Sequence, residues 1–173
     1  MAIEHNGDGQ RLARMEEQKQ AGEVRLRAVT EEDLPTFYEQ QADPAPHRLS
    51  GTRMREREDF MAHWQKIMAE DAVSMRTIEW AGRIAGNVVS FEREGVREVG
   101  YRLGPEFWGK GIATRALAAF VEQIRTRPLY GRVAKRHLAS VRVLEKCGFV
   151  IVAEDVFTTD DGEEVEEYVL RLG

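Results

Sequence analysis

The hydrophobic residues recur with two different periods along the chain. In some segments they alternate with polar residues, as in a half-buried strand, and in others they recur every three or four positions, as on one face of a helix. The predicted strands are Val24–Ala28, Val73–Trp80, Ile84–Phe91, Val96–Leu103, Leu129–Ala134, Phe149–Ala153 and Val165–Leu170. One predicted helix follows Thr30, and the other predicted helices are Arg55–Ala69, Ile112–Arg125 and Ala139–Cys147.

This order of elements predicts one mixed, mainly antiparallel sheet flanked by helices, which is an α+β architecture. We place a single domain over residues 22–173 and treat the polar residues 1–21 as an appendage. Pro44 and Pro46 are expected to break the first helical pattern. Gly148 is expected to close the last helix in a left-handed conformation, and the strand that follows is expected to be buried.

The composition narrows the class of protein. At 173 residues the chain is long enough for one sizeable core and too short for two ordinary domains. Hydrophobic residues at 42% exclude a disordered chain, and the longest apolar run, Ala116–Val121, is too short for a transmembrane helix. Cys147 is the only cysteine, which excludes an intrachain disulfide. No secretory signal is visible, so we expect a cytoplasmic protein without a membrane partner.

The charge of the chain is unevenly distributed. The formal net charge of −5 argues against general nucleic-acid binding, because such binding is driven by neutralising phosphates. The segment from Glu154 to Glu167 contains many acidic residues and no Lys or Arg, so the rest of the chain is net positive. Two interpretations of this segment stay open: it attracts a cationic partner, or it is a solvated hairpin that charge protects from edge pairing.

The segment Gly104–Thr114 stands between a predicted strand and the most regular predicted helix. Gly109 and Gly111 allow the backbone to approach a ligand closely, and the unpaired N–H groups of a helix start favour an anion such as phosphate. A loop with only a turn role is the alternative. A Walker A loop would need Ser or Thr after Lys110, and the dinucleotide fingerprint would need a glycine at Thr114. Both of these nucleotide interpretations are therefore poor.

Two motifs carry a resemblance to a known family. Pro105–Thr114 resembles the acetyl-CoA pyrophosphate loop of the GNAT superfamily of N-acetyltransferases. His137–Phe149 resembles the Asn-x-x-Ser helix, ending in Gly-Phe, of the branch that contains the ribosomal-protein N-terminal acetyltransferases. With the order of strands and helices, the resemblance covers about residues 24–172. The chain departs from the pattern at His137, where that branch usually has Asn, and at Leu144, where many members have a tyrosine proton donor.

The resemblance implies a GNAT-like acyl-CoA N-acyltransferase fold with acetyl-CoA as the acetyl donor and no metal. It implies direct transfer, in a ternary complex, to a primary amine that belongs to a protein N-terminus or a small molecule. It also implies cofactor contacts for Arg102, Leu103, Trp108, Gly109, Lys110, Gly111, Ile112, Ala113, Thr114, His137 and Ser140. The two departures favour a competing interpretation, a catalytically idle acyl-CoA-binding or regulatory module. A homodimer is left open, because such domains expose a sheet edge.

Amine acetylation needs a base, because free amines are largely protonated at neutral pH. Glu98 is the first candidate for the catalytic base and Glu92 the second, and the plain alternative for Glu98 is a solvated strand residue. The resemblance implies that a backbone N–H near Leu103 stabilises the developing oxyanion. Ser140 is the candidate proton donor to the leaving thiolate, and its alternative role is to cap its own helix.

Other residues that could carry chemistry receive simpler interpretations. Four cations are available for the ribose phosphate of the cofactor: Lys110, Arg115, Lys135 and Arg136. Cys147 is predicted to pack in the core rather than to react. The histidines show no i, i+4 pair, so we expect no metal site. The resemblance also implies that the acidic loop between the last two strands borders the entrance for the acceptor.

Overall fold

The fold is built on one seven-stranded mixed sheet. The computed structural model describes residues 7–173, with the side chains of 16–21, 45 and 46 outside the description. The strands are β1 (Val24–Arg27), β2 (Ser74–Trp80), β3 (Arg83–Arg93), β4 (Val96–Leu103), β5 (Leu129–Ala134), β6 (Val150–Thr158) and β7 (Glu164–Leu172). Their order is β1-β2-β3-β4-β5-β7-β6, and every neighbouring pair is antiparallel except β4 and β5. The predicted α+β architecture is confirmed.

Helices cover both faces of this sheet. They are α1 (Gly7–Ala21), α2 (Leu34–Gln41), α3 (Pro44–Ser50), α4 (Arg57–Met68), α5 (Ile112–Gln123) and α6 (Leu138–Lys146). The main core lies between the sheet, α5 and α6, and it includes Val88 and Phe120. A second cluster around Phe37 and Trp64 joins α2 and α4 to the opposite face, where Val89 packs. Val88 and Val89 thus point to opposite faces, as consecutive residues of a strand do.

The predicted appendage over residues 1–21 lies partly outside the described residues. From residue 7 onward it forms α1, a helix whose described side chains are exposed, including Leu12 and Met15. The domain boundary at residue 22 stays a prediction.

The break in the first helical pattern at Pro44 and Pro46 is confirmed, since α2 ends at Gln41. The sequence analysis missed that Pro44 opens a separate helix, α3. The first residues of a helix have no intrahelical partner for their N–H groups, so proline costs nothing there and its fixed φ suits the helix. Both prolines lie within this first turn.

The prediction of a short buried strand over Phe149–Ala153 was wrong in extent and in burial. Strand β6 runs from Val150 to Thr158, and it is exposed along almost its whole length. It is one of the two edge strands of the sheet and is paired only with β7. Gly148, just before it, has φ +91°, which confirms the predicted left-handed turn after α6.

The start of α2 is fixed by a buried carboxylate, Asp33. It accepts hydrogen bonds from the Thr30 N–H at 2.9 Å and the Thr77 hydroxyl at 2.8 Å, and it pairs with Arg27 at 2.7 Å. Burial alone would raise the pKa of Asp33, but the bonds from Arg27, Thr30 and Thr77 outweigh it and lower the pKa to about 2. This contact attaches α2 to the first two strands.

The parallel strands β4 and β5 pair at one position and then separate. Glu98 lies opposite Tyr130, and no later residue of β4 has a partner on β5. The N–H of Gly104 donates to Ala85 of β3 at 2.9 Å, so the alternation of a strand turns the N–H groups of Leu103 and Tyr101 toward the opening. Across the described range 7–173, no helix is both long and apolar enough to cross a membrane.

Candidate active site

The loop between β4 and α5 allows close approach to the main chain. Gly109 and Gly111 have φ of +73° and +74°, a region that side chains disfavour. A Cβ at either position would meet nothing within 4 Å, so the space beside the loop is open. Helix α5 begins at Ile112, directly after Gly111, and the first N–H groups of a helix have no partner inside it. The loop therefore offers main-chain donors to an anion.

Arg115 braces this loop. Its guanidinium donates to the carbonyl oxygens of Gly22 at 2.8 Å, Lys110 at 3.2 Å and Gly111 at 3.3 Å. The structure thus gives Arg115 an internal role in place of the expected contact with a ribose phosphate. Because Arg115 holds carbonyl groups of the loop, the N–H groups remain for a ligand.

A cleft of about 980 Å³ lies between the separating strands, the loop and α6. Of the residues predicted to contact the cofactor, those that line it are Arg102, Leu103, Trp108, Gly109, Gly111, Ile112, Ala113, Thr114, His137 and Ser140. Lys110 does not, because its ammonium group lies over the Trp80 ring, 5.8 Å from the centroid. We call this space the cofactor cleft.

Two cations that the sequence analysis missed line the cofactor cleft. Arg142 and Lys146 are exposed on α6, and within the described part of the chain neither forms an ion pair. Lys135 and Arg136, which the sequence suggested, are paired with Glu154 at 2.7 Å and Glu163 at 2.6 Å. The missed signal was the i, i+4 spacing of Arg142 and Lys146, which puts them on one face of a predicted helix.

Tyr101 and Ser140 form a hydroxyl pair in the cofactor cleft, with 2.8 Å between their oxygens. Ser140 does not cap α6, since the residue at the N-cap is His137. Burial raises the pKa of Tyr101 to about 12, so its hydroxyl stays protonated at neutral pH. Burial also lowers the pKa of His137, which favours a neutral ring beside the cleft. Sequence reasoning missed Tyr101, because nothing in the local pattern separates it from a core tyrosine.

Leu144 and Cys147 both have packing roles. Leu144 is buried against Gly131, where a Cβ would lie 3.0 Å from the leucine side chain. The Cys147 thiol donates to the Thr114 carbonyl at 3.4 Å, and burial raises its pKa, which disfavours the reactive thiolate. Within the described residues, no three His, Cys, Asp or Glu side chains come close enough to hold a metal ion.

A larger cleft, of about 1560 Å³, lies on the other side of β4. Its walls come from α3, α4 and the β6–β7 loop, and Asn87 of β3 and Arg102 of β4 also line it. Thr52, Arg102 and Phe157 line both clefts, so the two spaces meet at the end of β4. We call this second space the acceptor cleft.

A match to a known protein family covers most of the residues that form the two clefts. Residues 23–150 match the family described as "Acetyltransferase (GNAT) domain". The chain belongs to the GNAT acetyltransferase family. No curated protein matches the chain at a significant level.

Solved structures share this GNAT fold at low sequence identity. The spermidine N-acetyltransferase from Vibrio cholerae, solved with CoA and spermine, has a TM-score of 0.76 and 21% identity over 86% of this chain and 94% of its own. A GNAT acetyltransferase from Bacillus anthracis has a TM-score of 0.74 and 17% identity over 86% and 93%. The aminoglycoside acetyltransferase AAC(6')-Ib, solved with coenzyme A, has a TM-score of 0.67 and 24% identity over 85% and 94%.

Glu98 of the GNAT domain is not a solvated strand residue, which was the alternative to a catalytic role. It is 6% exposed, and its Oε1 accepts from Arg132 at 3.1 Å and lies 3.2 Å from Arg93. Arg132 also pairs with Glu167 at 2.8 Å and with Asp155 at 3.0 Å. Glu92, the second candidate base, is exposed and lines neither cleft. The catalytic role of Glu98 stays a prediction.

The acidic hairpin is largely matched by neighbouring cations. Besides the pairs of Lys135 and Arg136 with Glu154 and Glu163, Asp160 lies 3.3 Å from Arg53. The hairpin does border the acceptor cleft, since Asp160, Asp161 and Glu163 line it. Its charge, however, is locally compensated rather than free to attract a polycation.

Proposed function

We propose that the protein transfers an acetyl group from acetyl-CoA to a primary amine by direct attack in a ternary complex. The observation that carries the proposal is the meeting of two clefts on opposite sides of β4, one beside a main-chain anion loop and the other lined by polar side chains. Two structural relatives support an amine acceptor, since they are described as acetyltransferases of spermidine and of aminoglycosides.

The residues of the cofactor cleft fit acetyl-CoA, which supplies an activated acetyl thioester when bound. The N–H groups at Gly109, Gly111 and Ile112 would hold the pyrophosphate, with Arg142 and Lys146 as the nearby cations. The N–H groups of Tyr101 and Leu103, free of a strand partner where β5 departs, would donate to the acetyl oxygen on which negative charge develops.

Glu98 is the base that we propose. Alternation along β4 puts its side chain on the same face as Gly100 and Arg102. Glu98 and Gly100 line the cofactor cleft, and Arg102 lines both clefts. Arg132 and Arg93 hold Oε1, and Oε2 accepts no bond within the described residues, so it can take a proton from an incoming ammonium group directly or through water.

The Tyr101–Ser140 pair is proposed to donate a hydrogen bond to the leaving sulfur rather than a full proton. A thiol of ordinary pKa, about 8.5, gives a thiolate that is a much weaker base than the phenolate of a tyrosine whose pKa is about 12. Proton transfer from the pair would therefore be uphill. The thiolate can leave as an anion and take its proton from water.

The replacement of the family tyrosine by the buried Leu144 favours a second candidate, an idle acyl-CoA-binding module. Thiol release from acetyl-CoA, measured across small primary amines and peptides with free N-termini, separates the two candidates. We expect release that requires an amine and yields an acetylated product. Acetylated peptides would place the protein with the N-terminal acetyltransferases of ribosomal proteins, and acetyl-CoA binding without release in any mixture would establish the idle module.

A further inference from the structure

Arg102 is a largely enclosed cation without a carboxylate partner. Within the described residues, no carboxylate oxygen lies within the 4.0 Å of an ion pair from its guanidinium. Its nearest polar contacts are the Thr52 hydroxyl and Nε2 of His47, both at 3.4 Å. Burial lowers the pKa of Arg102, yet an arginine in a protein stays charged.

The contact with His47 is not a hydrogen bond to Arg102. His47 Nε2 lies 2.5 Å from the Gln41 carbonyl oxygen, which can only accept, so Nε2 must carry a proton. A nitrogen with a proton cannot accept a second one from a guanidinium. His47 Nδ1 lies 3.1 Å from both the carbonyl oxygen and the hydroxyl of Thr52. Arg102 is thus left with one long contact for its five N–H donors.

Asn87 lies beside Arg102, and its side chain also lacks hydrogen-bond partners among the described residues. The two residues are directly opposite in the register of β3 and β4, so their side chains share a face and lie close together. Asn87 is 8% exposed and lines the acceptor cleft, and its amide makes no hydrogen bond to another described residue. A guanidinium and an amide side by side present several donors to one place in the cleft.

The face of β4 that carries Arg102 has a gap next to this pair, on the side where Gly100 lines the cofactor cleft. Gly100 lies between Glu98 and Arg102 on that face, and a Cβ at Gly100 would meet only a Val89 methyl group, at 3.9 Å. Residues two apart in a strand are about 7 Å apart, so Gly100 lies about that distance from Arg102 on one side and from Glu98 on the other. A molecule that reaches from Arg102 to Gly100 would meet the guanidinium at one end and would have its other end next to Glu98.

We propose that the acceptor is an amino carboxylate, whose carboxylate pairs with Arg102 and Asn87 and whose amine lies at Gly100 within reach of Glu98. The proposal rests on the proposed acetyl transfer and names its substrate class. A guanidinium matches a carboxylate with two parallel bonds, and enclosure strengthens such a pair. A polycation would gain little here, because Arg102 repels it and the acidic hairpin is already paired.

The test uses straight-chain amino carboxylates from β-alanine to 6-aminohexanoate as acceptors. Each is compared with its own primary amide, which has nearly the same size but no negative charge. We expect kcat/KM for the best carboxylate to exceed that of its amide by about tenfold or more, the scale of a charge-assisted hydrogen bond. In Arg102→Gln we expect this ratio to fall to near one, mainly because the KM for the carboxylate rises. Asn87→Asp also abolishes the preference, because the new carboxylate occupies the guanidinium.

Arg25→Gln is the matched control, since Arg25 is exposed on β1 and lines neither cleft. It should keep the wild-type ratio, and thermal unfolding should find every variant folded. Equal kcat/KM for carboxylates and amides in the wild type would overturn the proposal of an amino carboxylate acceptor. It would leave the proposal of acetyl transfer unchanged.

If no probe is acetylated, calorimetry of 6-aminohexanoate in the presence of coenzyme A still separates the two proposals. Binding that is lost in Arg102→Gln would support the carboxylate site although transfer had failed. The absence of binding to the wild type would overturn the carboxylate site as well.

Discussion

The cofactor cleft and the acceptor cleft lie on two sides of the same strand and are built from different parts of the chain. The cofactor cleft depends on the main chain: two glycines with positive φ, the start of α5 and the N–H groups that β4 exposes where β5 departs. The acceptor cleft depends on side chains that come from distant elements, such as Asn87 on β3, His63 on α4 and Asp160 in the β6–β7 loop.

The two clefts should respond differently to amino-acid substitutions. A surface made of backbone donors tolerates many side chains as long as the glycines and the helix start remain. A surface made of side chains changes its ligand whenever one of them changes. We therefore expect substitutions in the two clefts to act on different kinetic constants.

The largest effect is expected from Glu98→Gln, at the proposed base. Loss of a general base costs typically about a hundredfold or more in turnover, so kcat should fall by that amount with acetyl-CoA affinity nearly unchanged. Steady-state kinetics over a range of pH, with calorimetry for acetyl-CoA, measures both quantities. Glu92→Gln, at an exposed position outside both clefts, is the control. An unchanged pH profile in Glu98→Gln would remove Glu98 as the base.

The next largest effect is expected on the cofactor side, from Gly111→Val. The φ of +74° is costly for a branched residue and the side chain enters the open space of the loop, so acetyl-CoA should bind about 10 to 100 times more weakly. Gly82→Val is the matched control, because Gly82 has φ +72° and equally open surroundings in the β2–β3 turn. Equal loss of affinity in both variants would mean that strain, and not the ligand, explains the result.

A smaller effect, on stability, is expected at Asp33, which fixes the start of α2, the helix whose Phe37 and Gln41 line the acceptor cleft. Because the pKa of Asp33 is lowered to about 2, its contribution of about 2 kcal/mol is present above pH 4 and disappears as the pH falls from about 4 toward 2. Asp33→Asn should lose that amount at pH 7 and lack this acid-dependent decline. Denaturant unfolding at several pH values measures it, with the exposed Asp71→Asn as control. Identical pH profiles for wild type and Asp33→Asn would contradict the account.

The smallest effect is expected for the hydroxyl pair of the cofactor cleft. Ser140→Ala and Tyr101→Phe should each lower kcat by about tenfold or less, because the thiolate can leave without receiving a full proton. The two losses should also fail to add, since each variant breaks the same 2.8 Å contact. A loss above a hundredfold in either variant would make the pair an essential acid.

The sequence predicted most of the fold and most of the loop residues that line the cofactor cleft, because both depend on local patterns. The glycines of the loop and the start of α5 are consecutive in the chain, so a motif records them. Arg102 and Asn87 form a pair only through the register of β3 and β4, which no local pattern specifies. The exposure of β6 was missed for a similar reason: its hydrophobic residues look like those of a buried strand, and only the strand order puts them at the edge.

Residue-resolved amide hydrogen exchange, with and without acetyl-CoA, tests the central comparison most directly. We predict protection of Tyr101, Leu103 and the amides of residues 109–114, with little change in residues 53–63 along the acceptor cleft. Protection of residues 53–63 without protection of the loop would contradict the assignment of the two clefts.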